Sequence, residues 1–222
     1  MTQLRVGADL AAVFLLLLAI VWHAGAWIGP SAQGIIGTLS GVSAGAIVLL
    51  SWWRRGATLD TLGLAPARIG VGLSSALLVS TLGAAALVLA GVAFGTASFD
   101  PARFEWLAQY LPGLFAQQIL LQDFFAPGVR TLAAAQSPRR RDVTTVVVAT
   151  ALFALLHAPN LALMVGVSLT GAFWTAHFLA HRNLFAVVLS HLLLGSAAMA
   201  SLGPGPLGNL RVGPGALALL SR

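Results

Sequence analysis

Cysteine and lysine are absent from the 222-residue chain, tyrosine occurs once, and charged residues of both signs together make up 8%. Without cysteine there is no disulfide framework, no thiolate metal site and no thiol nucleophile. A soluble domain carries about 25% charged residues. The shortage excludes a surface that meets water over most of its area. All twelve basic residues are arginine, and the net charge is +6. These arginines fall in short loops between apolar runs, which is the pattern of membrane orientation and excludes a nucleic-acid-binding face.

What fills the chain is apolar: 58% of residues are hydrophobic and the mean hydropathy is +0.91. A membrane-crossing helix needs about 20 such residues. Seven candidate spans follow, roughly 8–28, 34–53, 70–95, 104–126, 143–157, 161–180 and 184–200. The sequence therefore predicts an all-α, polytopic integral membrane bundle, with residues 1–222 as one membrane domain. The first run is too long for a signal-peptide core and reads as a retained span. With the N-terminus inside, Arg5, Arg54, Arg55, Arg68, Arg130, Arg139, Arg140, Arg141 and Arg182 lie on the cytoplasmic side, and Arg103, Arg211 and Arg222 lie outside. The stretch from Leu202 to Gly215 is rich in Gly and Pro and reads as an irregular cap.

In the second span Gly37, Gly41 and Gly45 share one helical face and predict close helix packing. The same stretch matches G-x-S-x-G around Ser43, but that pattern needs a strand–turn–helix elbow, and no strand is expected here. Ser137-Pro138-Arg139-Arg140-Arg141-Asp142 reads as a basic stop that anchors to anionic headgroups.

Polar side chains inside spans are costly and mark functional candidates. Three amides, Gln117, Gln118 and Gln122, fall within six residues of the fourth span. An unpartnered amide costs about 4–8 kcal/mol on moving from water to hydrocarbon, so internal partners are required. Residues four apart share a helical face. Gln118 pairs in this way with Gln122, Phe153 with His157, and His191 with Gly195. If these faces converge, His157 and His191 supply partners for the amides. An interfacial role for His157 also stays open. His177 and His181 share a face beside Arg182 and read as interfacial; His23, with Trp22 and Trp27, reads as part of an aromatic belt.

At these positions the sequence resembles the CPBP family, the CAAX-protease and bacteriocin-processing (Abi) intramembrane peptidases. Their Glu-Glu-x-x-x-Arg motif stands here as Gln117-Gln118-Ile119-Leu120-Leu121-Gln122. Phe-x-x-x-His stands intact as Phe153-Ala154-Leu155-Leu156-His157, and His-x-x-x-Asn stands as His191-Leu192-Leu193-Leu194-Gly195. The loop Asp60-Thr61-Leu62-Gly63-Leu64 resembles the family's lead-in to a later span, and the resemblance covers about residues 58–200. It implies an endopeptidase that processes a membrane-associated protein or peptide, with catalytic positions at Gln117, Gln118, His157 and His191. In the family the paired Glu activates a water or helps bind a metal, and the His residues stabilise the oxyanion.

Both Glu positions, the Arg position and the Asn position are changed in this chain. A carboxylate can act as a base once burial tunes its pKa, whereas an amide cannot. Of the six acids, only Asp123 is near the first motif; at α-helical pitch it lies about 140° round the helix from Gln118, and Arg130 offers it an ion pair. Neutral His and Gln leave a divalent ion uncompensated, so no bound metal or other cofactor is expected. The expected partners are the bilayer and a membrane-associated protein or peptide, in a prokaryotic cytoplasmic membrane. Three readings follow: a peptidase with impaired catalysis; a non-catalytic scaffold, immunity or partner-binding protein; and, lacking the internal symmetry of transporters, a small-solute carrier as the least favoured.

Overall fold

The computed structural model describes residues 2–23, 30–98, 111–201, 212–214 and 216, with only the backbone described at 23 and over 30–38. Every regular element among them is helical. The long helices are α1 (Gln3–His23), α2 (Pro30–Arg54), α3 (Leu73–Ala93), α5 (Pro138–Leu155), α6 (Leu161–His181) and α7 (Leu184–Ser201), with the short α4 at Ala126–Leu132. Four have the length and apolarity to cross a membrane, in the stretches Gln3–Trp22, Leu73–Ala93, Leu161–His181 and Leu184–Ser201. The protein is thus an integral membrane helical bundle. The helix over the expected fifth span starts before Val143, because Pro138 fits the first helical turn and draws the arginine run into α5. Trp27, Arg103, Arg211, Arg222 and most of the Gly/Pro-rich tail lie outside the described residues.

The described chain divides into two compact units. One contains residues 1–57, 123–172 and 211–222; the other contains 58–122 and 173–210.

In the first unit α1 packs against α2 and α4, and α4 against α5. Val13, Phe124, Phe125, Val129, Ala149 and Phe153 are core residues there. Residues 111–118 are α-helical, and the chain then takes a π-helical path over Ile119–Phe125 before α4. A π-helix closes i→i+5 bonds, so the 140° offset expected for Asp123 from α-helical pitch does not hold in this segment. Pro127 also has no N–H to give to a carbonyl one turn back, and the carbonyl of Asp123 finds donors elsewhere. The Trp52 indole reaches it at 3.1 Å and the Arg55 guanidinium at 2.8 Å. Burial pushes the Arg55 pKa down, opposed by the negative charges of Asp123 and Asp9. Arg130 pairs with Asp142 at 2.9 Å.

In the second unit α3 packs along α7. The buried face of α3 is a stripe of small residues, Ala76, Ser80, Ala84 and Gly91. A Cβ on Gly91 would collide with the backbone and side chain of Ser201, so this crossing needs a residue without one. Among the described residues the small-residue packing is provided by this stripe: Gly41 and Gly45 of α2 are exposed with open space above them, Ser43 is exposed on the same helix, and the surroundings of Gly37 lie outside the described residues. Periodicity puts small residues on one face without saying what that face meets.

The loop before α3 is fixed to the turn between α6 and α7. Asp60 pairs with Arg68 at 2.7 Å, and Leu184 N–H donates to the Gly63 carbonyl at 3.0 Å. The buried amide of Asn183 donates to the carbonyls of Ile69 and Val71 at 2.8 Å each, and its Oδ1 caps α7 by accepting from Ala186 N–H at 3.0 Å. Gly72 has φ +69°, and a Cβ there would strike the His181 ring.

Candidate functional site

The fourth apolar segment carries its amides into the second unit through Gln118 and Gln122, both with 0% exposure. Gln122 Nε2 donates to Gln118 Oε1 at 3.1 Å, and Gln118 Nε2 lies 3.0 Å from His191 Nδ1 on α7. With Gln118 donating, Nδ1 is the acceptor and the ring proton sits on Nε2. The reverse order, His191 donating to Gln118 and Gln118 to Gln122, satisfies the same two bonds. In either order Gln118 is the middle link. The outer amide position of Gln122, its Oε1, is buried without a hydrogen-bond partner. Gln117 is half-buried and stands outside this chain of bonds.

His191, 6% exposed, is held on its face as well as its edge. The Trp174 indole of α6 stacks on it with centroids 4.2 Å apart and 32° between planes. Trp174 Nε1 in turn donates to Ser190 Oγ at 2.8 Å. Ser80 Oγ lies 2.6 Å from both the Ala76 carbonyl and Ser190 Oγ. One hydroxyl proton cannot serve both: with Ser80 donating to Ala76, Ser190 donates to Ser80 and accepts from Trp174. Every member is then bonded, which is what a buried polar network requires to be stable. Three helices, α3, α6 and α7, thereby fix the ring that Gln118 touches. Sequence reasoning missed Ser80, Trp174 and Ser190, since none belongs to a motif and each alone reads as ordinary core.

Gly195, one turn after His191, is not demanded by packing. A Cβ there meets only His191 Cδ2, at 3.9 Å. The position has room for a side chain beside the imidazole, yet carries none.

His157 belongs to the first unit, just past the end of α5. Its Nδ1 donates to the Phe153 carbonyl at 2.9 Å, and the Phe153 ring meets the imidazole edge to face at 5.0 Å. This bond places the proton on Nδ1 and leaves Nε2 as the acceptor of the neutral ring. The structure thus brings Gln118, Gln122 and His191 together in one unit, and Phe153 with His157 in the other.

The remaining histidines have structural contacts. His177 is buried and its Nε2 donates to the Gly72 carbonyl at 3.0 Å, so it ties a loop to a helix. His181 stacks near it at 4.5 Å. The side chain of His23 lies outside the described residues.

Chemically, the amide–histidine chain offers donors, acceptors and one oriented imidazole. It has no carboxylate base. Among the described residues no three His, Asp or Glu side chains converge to hold a metal ion. The neutral donor set at Gln118, Gln122 and His191 does not fit a divalent cation, which in catalytic zinc sites is held by three His, His₂Glu or Cys₂His.

The fold and these buried polar side chains define a polytopic helical membrane protein with a buried polar site. Residues 114–196 match the family model described as type II CAAX prenyl endopeptidase Rce1-like, in agreement with the CPBP resemblance. The matched segment contains Gln117, Gln118, Gln122, Phe153, His157, His191 and Gly195. No curated protein and no solved structure matches the chain.

Proposed function

We propose that this protein is an Rce1-like intramembrane peptidase relative that keeps the site as architecture while its proteolytic chemistry is weak or lost. The observation that carries this reading is Gln118. It occupies the family's carboxylate position, is fully buried, and uses both ends of its amide to bond Gln122 and His191. Glutamine has nearly the shape of glutamate, so packing and hydrogen bonds survive the exchange. Proton acceptance does not. With Gln117 beside it and Gly195 in the Asn position, this site has no group to activate water with the strength of a buried carboxylate, and no charge to hold a metal.

On this reading the protein's partner is a membrane-associated protein or peptide, engaged without efficient cleavage, as in a scaffold or immunity role. It lies in a prokaryotic cytoplasmic membrane with its N-terminus inside. Nine of its twelve arginines fall on the cytoplasmic side of that arrangement, in keeping with the positive-inside tendency. The test is a cleavage assay on prenylated CAAX-type peptides in vesicles, comparing the native chain with Gln117→Glu/Gln118→Glu. The expected result is no turnover above background for the native chain and a measurable trace for the double variant. Robust native turnover defeats the proposal.

A further inference from the structure

Among the described residues, Arg139 and Arg140 at the start of α5 have no ion-pair partner. Arg139 and Arg140 line an open cavity of about 520 Å³, together with Gln136, Val143 and Thr144. The nearby acid, Asp142, is engaged by Arg130 at 2.9 Å. The next residue, Arg141, has a buried Nε with no hydrogen-bond partner. Three adjacent cations at the positive end of a helix repel one another and the helix dipole, so the arrangement calls for an anion from outside.

The cavity is equipped to take one. Thr144 Oγ1 donates to Gln136 Oε1 at 2.8 Å, which fixes the amide and leaves its Nε2 as a donor. Two arginines and a glutamine therefore border one space. An arginine fork matches the oxygens of a phosphate in a bidentate way.

The apolar neighbours choose the source of that phosphate. Val143 is 57% exposed and Val147, one turn further along α5, is 60% exposed. In an integral membrane protein such valines meet acyl chains, so a phosphate seated above them with its tails alongside is that of a phospholipid. We infer that Gln136, Arg139, Arg140 and Thr144 form a binding site for the phosphate headgroup of an anionic phospholipid, with Val143 and Val147 against its acyl chains.

The test uses the full-length chain in neutral detergent, with phosphatidylglycerol, phosphatidylcholine and inorganic phosphate added separately. Retained lipid is counted by native mass spectrometry, and the shift in thermal midpoint is followed alongside. Phosphatidylglycerol should bind and raise the midpoint, and the other two should not. Each basic residue near an anionic surface contributes about fivefold in affinity, so Arg139→Gln/Arg140→Gln should weaken phosphatidylglycerol binding about thirtyfold. Arg5→Gln/Arg68→Gln removes the same charge elsewhere and should leave affinity within about threefold. Gln136→Leu keeps every arginine, so it reads the site even if the double arginine variant folds poorly. It should cost about threefold. Unchanged binding in the cavity variants overturns the inference. So does equal loss in the Arg5/Arg68 control, equal binding of phosphatidylcholine, or the same midpoint shift from inorganic phosphate.

Discussion

Replacing Gln118 with leucine tests whether the amide chain holds the second unit together. The side chain is fully buried and makes two bonds, to His191 at 3.0 Å and from Gln122 at 3.1 Å. Hydrogen bonds between helices in a membrane average about 0.6 kcal/mol and reach about 1.7. Two of them therefore stand for about 1–3 kcal/mol. The loss should fall in the upper part of this range, because leucine leaves both His191 Nδ1 and a Gln122 amide group buried and unbonded. An unsatisfied buried group costs about 1–3 kcal/mol, partly offset by the apolar gain of leucine. The matched comparison is Gln117→Leu, one residue away, half-buried and outside the bonded chain. It should change stability by no more than about 0.5 kcal/mol. Reversible unfolding in mixed detergent micelles, followed by circular dichroism, measures both. If Gln118→Leu falls within about 0.5 kcal/mol of the native protein, or Gln117→Leu costs as much, the buried amide relay is refuted.

Asn183→Leu removes a helix cap and strands the carbonyls of Ile69 and Val71; it should destabilise the protein by about 2–3 kcal/mol in the same assay. Arg55→Ala withdraws a charge-assisted donor from the Asp123 carbonyl and should cost about 1.5–3 kcal/mol. Trp52→Phe, which withdraws a neutral donor, should cost about 0.5–1.5. The exposed Asp60 carboxyl is held below its ordinary range, first by its hydrogen bond from Arg68. A depressed acid gives stability that is present above the unfolded-chain pKa, about 3.9, and is lost as pH falls through the lower folded value. Asp60→Asn should therefore flatten the acid limb of a stability–pH curve below about pH 4 and leave neutral pH almost unchanged.

Much of the membrane architecture was legible because hydropathy reports it directly. The apolar runs beginning near residues 70, 161 and 184 became α3, α6 and α7, and Asn183 before the last run is a recognisable cap. The π-helical turn at Ile119–Phe125 was not legible. It goes with Pro127 withholding an N–H and with donors from Trp52 and Arg55, about seventy positions earlier. The small-residue stripe was misplaced for a similar reason: α2 and α3 both carry small residues at four-residue spacing, and only tertiary contact shows that α3 buries its stripe. At the site, the spacing of Gln118, Gln122 and His191 drew attention because amides in an apolar run are expensive. Trp174, Ser190 and Ser80 escaped notice because each is unremarkable by itself and matters only through what it touches.

The central claim is that the site survives without its chemistry. The most direct measurement is the single-turnover rate of the purified native chain on a prenylated CAAX-type peptide in vesicles, set against His191→Ala prepared in the same way. The account predicts two rates that coincide at background. A native rate at least about tenfold above that of His191→Ala, a difference of about 1.4 kcal/mol in barrier, would contradict it.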